Sequence, residues 1–142
     1  MPALNFQARF AALVASGKKK QTIRATRKRP IKAGDTLYLF SGQRTKHSRR
    51  LAVGICTETF PVVIAYGQRI GKDLVTSRMP QICGVGECGT YYLHDADQSD
   101  IARRDGFNGV DDLVDWFEET HGLPFLGQVI RWKLKGKQCR SN

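Results

Sequence analysis

Thr36-Leu37-Tyr38-Leu39-Phe40, closed by Ser41-Gly42, is followed after a basic segment at 43–50 by Leu51-Ala52-Val53-Gly54-Ile55-Cys56. These read as two strands joined by a solvent loop. The first is apolar enough to predict burial on both faces. Ahead of it, Ala33-Gly34-Asp35 is a turn signal and 27–30 is a loop. Gln21-Thr22-Ile23-Arg24 is short and partly β-branched, the pattern of an edge strand. Downstream, 60–66 and 70–75 read as a further pair of strands and Thr90-Tyr91-Tyr92-Leu93 as another. The last spans 128–134, with Val129, Ile130, Trp132 and Leu134 apolar.

Helical spacing flanks these strands. Phe6, Phe10, Leu13 and Val14 fall at i, i+4, i+7 and i+8, which predicts a helix over 4–16 that Gly17 stops in a left-handed cap. Lys18-Lys19-Lys20 then sit at its C-terminal end, where the helix dipole favours cations. Ser99 is placed to cap a short helical turn through 104. Val110, Leu113, Val114 and Phe117 define a second amphipathic helix beginning near Asn108 or Gly109. Asp111, Asp112 and Asp115 lie in its early turns, and Gly122 and Pro124 end it. Strands outnumber helices and are separated by loops. The expectation is an α+β fold: an antiparallel or mixed sheet closed into a small β-barrel with flanking α-helices.

The chain has 142 residues, 41% of them hydrophobic, which fits one domain with a core. No apolar run approaches the roughly 20 residues that span a bilayer. The N-terminus lacks a basic region leading into an apolar one, so a cytoplasmic location is expected. Cys56, Cys83, Cys88 and Cys139 are unevenly spaced, which favours reduced thiols over a disulfide framework. Cys83-x4-Cys88-x5-His94 fits no metal template, and neither a metal nor another cofactor is expected. His47, His94 and His121 are scattered, with no nucleophile spacing to a Cys or Ser.

Charge is more informative. The net charge is +10, yet residues 17–50 alone hold twelve basic side chains and one acid, Asp35, a local charge of +11. Residues 95–120 hold nine acids against Arg103 and Arg104, a local charge of −7. Such a dipole attracts and orients a polyanion, of which nucleic acid is the commonest. The cations are not interleaved with the apolar stripe of a surface helix, which argues against a membrane partner. Lys18, Lys20, Arg24, Arg27, Arg44, Lys46, Arg49 and Arg50 are the candidate phosphate contacts. Arg24 also has the alternative of forking onto Asp35. Tyr38, Tyr91, Tyr92 and Trp132 stand between base stacking and the core.

Gly17-Lys18-Lys19-Lys20-Gln21-Thr22-Ile23-Arg24, followed by Ile31-Lys32-Ala33-Gly34-Asp35-Thr36-Leu37, resembles the ASCH domain family, grouped with PUA-like folds. Phe6 and Phe10, Asp105-Gly106-Phe107, Asp112-Leu113 through Trp116-Phe117, and Ile130-Arg131-Trp132 follow in the family's order, so the resemblance covers about 4–132. It implies a PUA-like barrel with flanking helices and a cleft that binds RNA or nucleotides. One branch of the family removes the acetyl group from N4-acetylcytidine with a Lys, a Thr and a Glu. By motif position these are Lys19, Thr22 and Asp105. Another member has been described as a metal-dependent ribonuclease.

Two departures separate this chain from the amidohydrolase branch. Asp105 stands where that branch has Glu, shortening the carboxylate's reach by about 1.5 Å. A misplacement of about that size costs on the order of a hundredfold in rate. The stretch 64–93 is also longer than those enzymes need and reads as an insertion; a short basic tail follows from 135. Amide hydrolysis needs a nucleophile, a base and an acid. Thr22 supplies a hydroxyl. Lys19 serves as a base only when neutral, which its cationic neighbours favour and Asp105 opposes. The chain is therefore expected to be a single ASCH-type domain binding RNA, a nucleotide or a modified nucleoside. An amidohydrolase of the acetylcytidine kind is the alternative, and a ribonuclease a third.

Overall fold

Leu4 and Phe6 are buried while Asn5 between them is exposed, and that period of two makes the first residues a strand. In the computed structural model, which describes residues 3–42, 45–70, 76–87 and 89–135, the elements follow in this order: β1 (Ala3–Phe6), α1 (Ala8–Ser16), β2 (Gln21–Ala25), β3 (Thr36–Ser41), β4 (Arg49–Ile70), β5 (Thr76–Gly86), β6 (Gly89–Tyr92), α2 (Asp95–Arg104), α3 (Val110–His121) and β7 (Phe125–Leu134). Arg44, Cys88, Cys139, 71–75 and the tail after 135 lie outside the described residues, as do the side chains of Tyr91 and Tyr92. The chain divides into two compact units, Met1–Thr59 with Val129–Asn142, and Phe60–Gln128.

In the first unit, β1 pairs in parallel with β3, and β3 pairs antiparallel with the start of β4. β7 pairs with both β4 and β2. The result is a mixed run in the order β1-β3-β4-β7-β2. Its ends, β1 and β2, do not pair with each other, so backbone hydrogen bonds do not close the expected barrel. Two arginines reach across instead. Arg24 Nη2 donates to the Asn5 carbonyl at 2.6 Å, and Arg27 Nη2 donates to the Ala3 carbonyl at 3.3 Å.

The helix expected over 4–16 is shorter, because 4–6 belong to β1 and Gln7, with an extended backbone, precedes α1. Its predicted stop holds: Gly17 is left-handed at φ 83°. β3 differs from expectation as well. Leu37 and Leu39 are fully buried but Tyr38 and Phe40 are half-exposed, so the strand buries one face. Register places Leu4 beside Leu39 and Leu37 beside Gly54, on one apolar face of the run.

Trp132 of β7 lies over Gly54. A Cβ there would sit 2.9 Å from the indole Cδ1 and 3.2 Å from the Lys133 carbonyl, so only glycine permits the approach.

In the second unit, β4 continues without a break where two separate strands were expected. Its 62–70 portion forms a long antiparallel ladder with β5, from Val62↔Gly84 to Ile70↔Thr76. β5 pairs with β6 from Cys83↔Tyr92 to Gly86↔Gly89. The stretch read as an insertion therefore holds β5, β6 and the end of β4.

α2 begins at Asp95, not at a Ser99 cap. His94 occupies the cap position, and Asp95 and Asp97 fill the first turn, where the dipole favours acids. Gln98 ties α2 to the sheet: its Oε1 accepts from Ile82 N at 2.9 Å and its Nε2 donates to the Leu93 carbonyl at 2.9 Å. α3 follows its reading closely, with Leu113, Val114 and Phe117 buried.

Candidate functional site

The turn after α1 determines which of three consecutive lysines goes inside. Gly17 adopts a positive φ, and Lys18 N and Lys19 N both donate to the Leu13 carbonyl at 3.0 Å, folding the chain back along the helix. Lys18 and Lys20 stay exposed while Lys19 is only 2% exposed. Its ammonium lies 4.7 Å from the centre of the Phe10 ring and 5.9 Å from that of Phe6. Away from water, such a contact is worth about 2 kcal/mol or more and offsets part of the desolvation of the cation.

β2 carries the next two groups. Thr22 is 5% exposed, and its Oγ1 accepts from Arg24 Nε at 3.0 Å. The same guanidinium lies 4.8 Å from the Phe6 ring centre. Phe6 in turn meets Trp132 edge-on at 5.9 Å. Trp132 is 2% exposed, and its indole Nε1 is buried without a hydrogen-bond partner. Lys19, Thr22, Phe6, Phe10 and Trp132, all buried, thus form one cluster within the first unit, with the half-buried Arg24 at its edge. Trp132, left open between base stacking and the core, is a core residue.

On the other side of β2, Gln21 Oε1 accepts from Arg131 Nε at 2.9 Å, and Arg131 Nη1 pairs with Glu58 at 2.8 Å. Arg24, for its part, engages Thr22 and the β1 carbonyl edge in the bonds given above. Asp35 closes its own turn by accepting from Lys32 N at 2.9 Å.

Asp105 belongs to the second unit. It follows α2 as its C-cap, with Asp105 N donating to the Ile101 carbonyl at 3.1 Å. Gly106, at φ 97°, then turns the chain toward α3. Asp105 is 4% exposed, and Phe107 beside it is buried. All three residues of the trio are therefore buried polar groups rather than solvated ones.

Lys46, Arg49 and Arg50 are exposed, as are Lys18, Lys20 and Arg27, and all six lie in the first unit. The acidic segment 95–120 lies wholly in the second.

The first unit also contains a cavity of about 560 Å³, lined by Arg27, Arg29, Pro30, Ile31, Gly34, Asp35 and Thr36. The sequence reading did not single out Arg29 or Pro30. Their signal was present in the alternation of basic residues around a proline immediately ahead of a Gly-Asp turn.

Among the described residues, Cys56 and Cys83 are free thiols. Burial pushes the Cys56 thiol up from its ordinary value of 9.0, with Asp35 and Glu58 adding to the rise against a hydrogen bond to the Glu58 carbonyl. Burial raises Cys83 likewise. Among the described residues no three His, Cys, Asp or Glu side chains gather as a metal site, and no helix is long and apolar enough to cross a membrane. Compared with known proteins, the chain matches no family model, no curated protein and no solved structure.

Proposed function

We propose that the chain is a PUA-like, ASCH-type domain that binds RNA or nucleotides on the basic face of its first unit. The observation that carries this reading is the division of labour among the cations. Lys18, Lys20, Lys46, Arg49 and Arg50 are exposed for phosphate contact, while Lys19 is drawn inside against Phe6 and Phe10 and the half-buried Arg24 lies over Phe6. The β1-β3-β4-β7-β2 run, with arginines bridging its two ends, supports a barrel-like frame.

Binding of a fluorescent single-stranded RNA oligomer, followed by anisotropy, tests the proposal. Affinity falls with salt by a logarithmic slope of about 0.7 per phosphate contacted. Lys20→Glu and Arg49→Glu weaken binding and flatten that slope. Salt-independent binding, or none, refutes the reading.

The burial of Lys19 and Thr22 in the first unit favours a second reading, hydrolysis of an acylated base. Thr22 Oγ1 bonds to the acyl carbon as its proton passes to a neutral Lys19, the bond to the exocyclic nitrogen breaks as that proton goes to the leaving amine, and water then cleaves the Thr22 ester to release the carboxylic acid. The hydrogen bond from Arg24 to Thr22 Oγ1 stabilises negative charge developing on that oxygen. Incubation with N4-acetylcytidine, followed by absorbance, gives turnover that Lys19→Met and Thr22→Val each abolish. No turnover by the unmodified protein ends this reading.

A further inference from the structure

The cavity beside the 27–36 loop is not part of the Lys19 cluster and has a chemistry of its own. Its volume, about 560 Å³, lies within the range of small-ligand sites and is several times that of a bare phosphate. Two guanidinium groups, Arg27 and Arg29, line it with the ring of Pro30, and Asp35 is its one acid. Arg27 spends a single donor on the Ala3 carbonyl. Arg29 makes no hydrogen bond or ion pair with any described residue. Both therefore retain forked donors, the geometry that matches phosphate oxygens.

The opposite wall is rigid. Gly34 N donates to the Cys56 carbonyl at 2.8 Å and Cys56 N donates to the Asp35 carbonyl at 2.8 Å, pinning the turn to β4. The space above Gly34 is open, since a Cβ there would meet nothing within 4 Å. Asp35 Oδ2 is held by Lys32 N, which orients the carboxylate and leaves Oδ1 to accept from a ligand hydroxyl or amine.

We propose that this cavity is a nucleotide subsite. The phosphate monoester is taken by Arg27 and Arg29, the nucleoside portion lies along Pro30, and a hydroxyl or amino group donates to Asp35. The inference deepens the nucleic-acid reading, on which it rests, by requiring that the ligand bring a phosphate attached to its nucleoside.

Calorimetric titration with cytidine 5′-monophosphate, cytidine and inorganic phosphate tests it. The monophosphate binds at least tenfold more tightly than either cytidine or inorganic phosphate. Arg29→Gln, an exposed substitution with no internal partner to lose, removes that advantage, and Arg29→Lys restores part of it. Equal binding of the monophosphate and cytidine, or an advantage unchanged in Arg29→Gln, overturns the proposal. So does inorganic phosphate binding as tightly as the monophosphate, which identifies a bare oxyanion site. The RNA titration separates the two readings. RNA binding without a preference for the monophosphate sinks the subsite and keeps the module. An Arg29-dependent preference without RNA binding keeps the subsite and sinks the module.

Discussion

Gly54→Ala is the substitution whose effect follows most directly from the structure. The new methyl carbon would lie 2.9 Å from Trp132 Cδ1, 3.2 Å from Cγ and 3.2 Å from the Lys133 carbonyl. Carbon atoms settle at about 3.5–4.0 Å, so the nearest contact is about 0.6 Å too short. None of the three atoms belongs to a flexible side-chain end. The indole is braced by the Phe6 edge at 5.9 Å, and its backbone N donates to the Lys20 carbonyl at 3.0 Å. Overpacking of this kind costs about 1–3 kcal/mol. Loss of glycine's freedom in the unfolded chain returns about 0.4–1 kcal/mol. A net loss of roughly 1–2 kcal/mol is expected, which lowers the melting temperature by roughly 2–8 °C. Urea unfolding monitored by tryptophan fluorescence measures the loss, and the Trp132 Nε1–H resonance reports displacement of the ring. Gly109→Ser is the control. Gly109 is extended at φ −179°, precedes α3, and has nothing within 4 Å of an added Cβ. Serine there gains a few tenths of a kcal/mol as a helix cap. A Gly54→Ala protein within 0.5 kcal/mol of the unaltered one, with the indole resonance unmoved, refutes the packing argument.

Gln98→Leu strands the Ile82 N–H and the Leu93 carbonyl, and a loss of about 1–3 kcal/mol is expected by denaturant unfolding. Arg24→Lys cannot serve Thr22 Oγ1 and the Asn5 carbonyl together, so a loss of about 1–2 kcal/mol is expected by the same measurement, with tighter hydrogen exchange protection lost first in β1. The folded thiols of Cys56 and Cys83 ionise above 9.0, whereas unfolded thiols ionise near it. Burial thus favours the protonated form, so the stability it confers is complete below pH 9.0 and lost as pH rises above it. Unfolding titrations across that range show the decline, and Cys56→Ala reduces its slope. A flat profile contradicts the burial of the thiol.

The strand at 36–41, the Gly17 stop and the amphipathic stripe of α3 were legible because each is a local pattern with a local cause, although burial of one face of that strand, not two, was decided by its neighbours. Two misreadings came from patterns that fit two periods. Phe6 falls at helical spacing from Phe10, but Leu4, Asn5 and Phe6 also alternate, and pairing with β3 decides for the strand. Residues 67–69 fall between the strands read at 60–66 and 70–75, yet the ladder with β5 carries β4 straight through them. The candidate site was legible as residue types. Three consecutive lysines announced a cationic turn, but which of them is buried depends on the direction the chain takes after Gly17, and that is tertiary. Arg24 and Arg27 were read as candidate phosphate contacts from their charge, and sequence does not reveal that each also reaches an outward carbonyl of β1.

Those outward carbonyls have a consequence for how the molecule behaves in company. An unpaired strand edge is a template on which another polypeptide can add itself, backbone to backbone. β1 is only four residues long, and two of its acceptors are already occupied by guanidinium groups. Short length and charged caps are the usual defences against such invasion. Neutralising Arg24 and Arg27 together would remove both charged caps from that edge, and self-association through β1 would be the price.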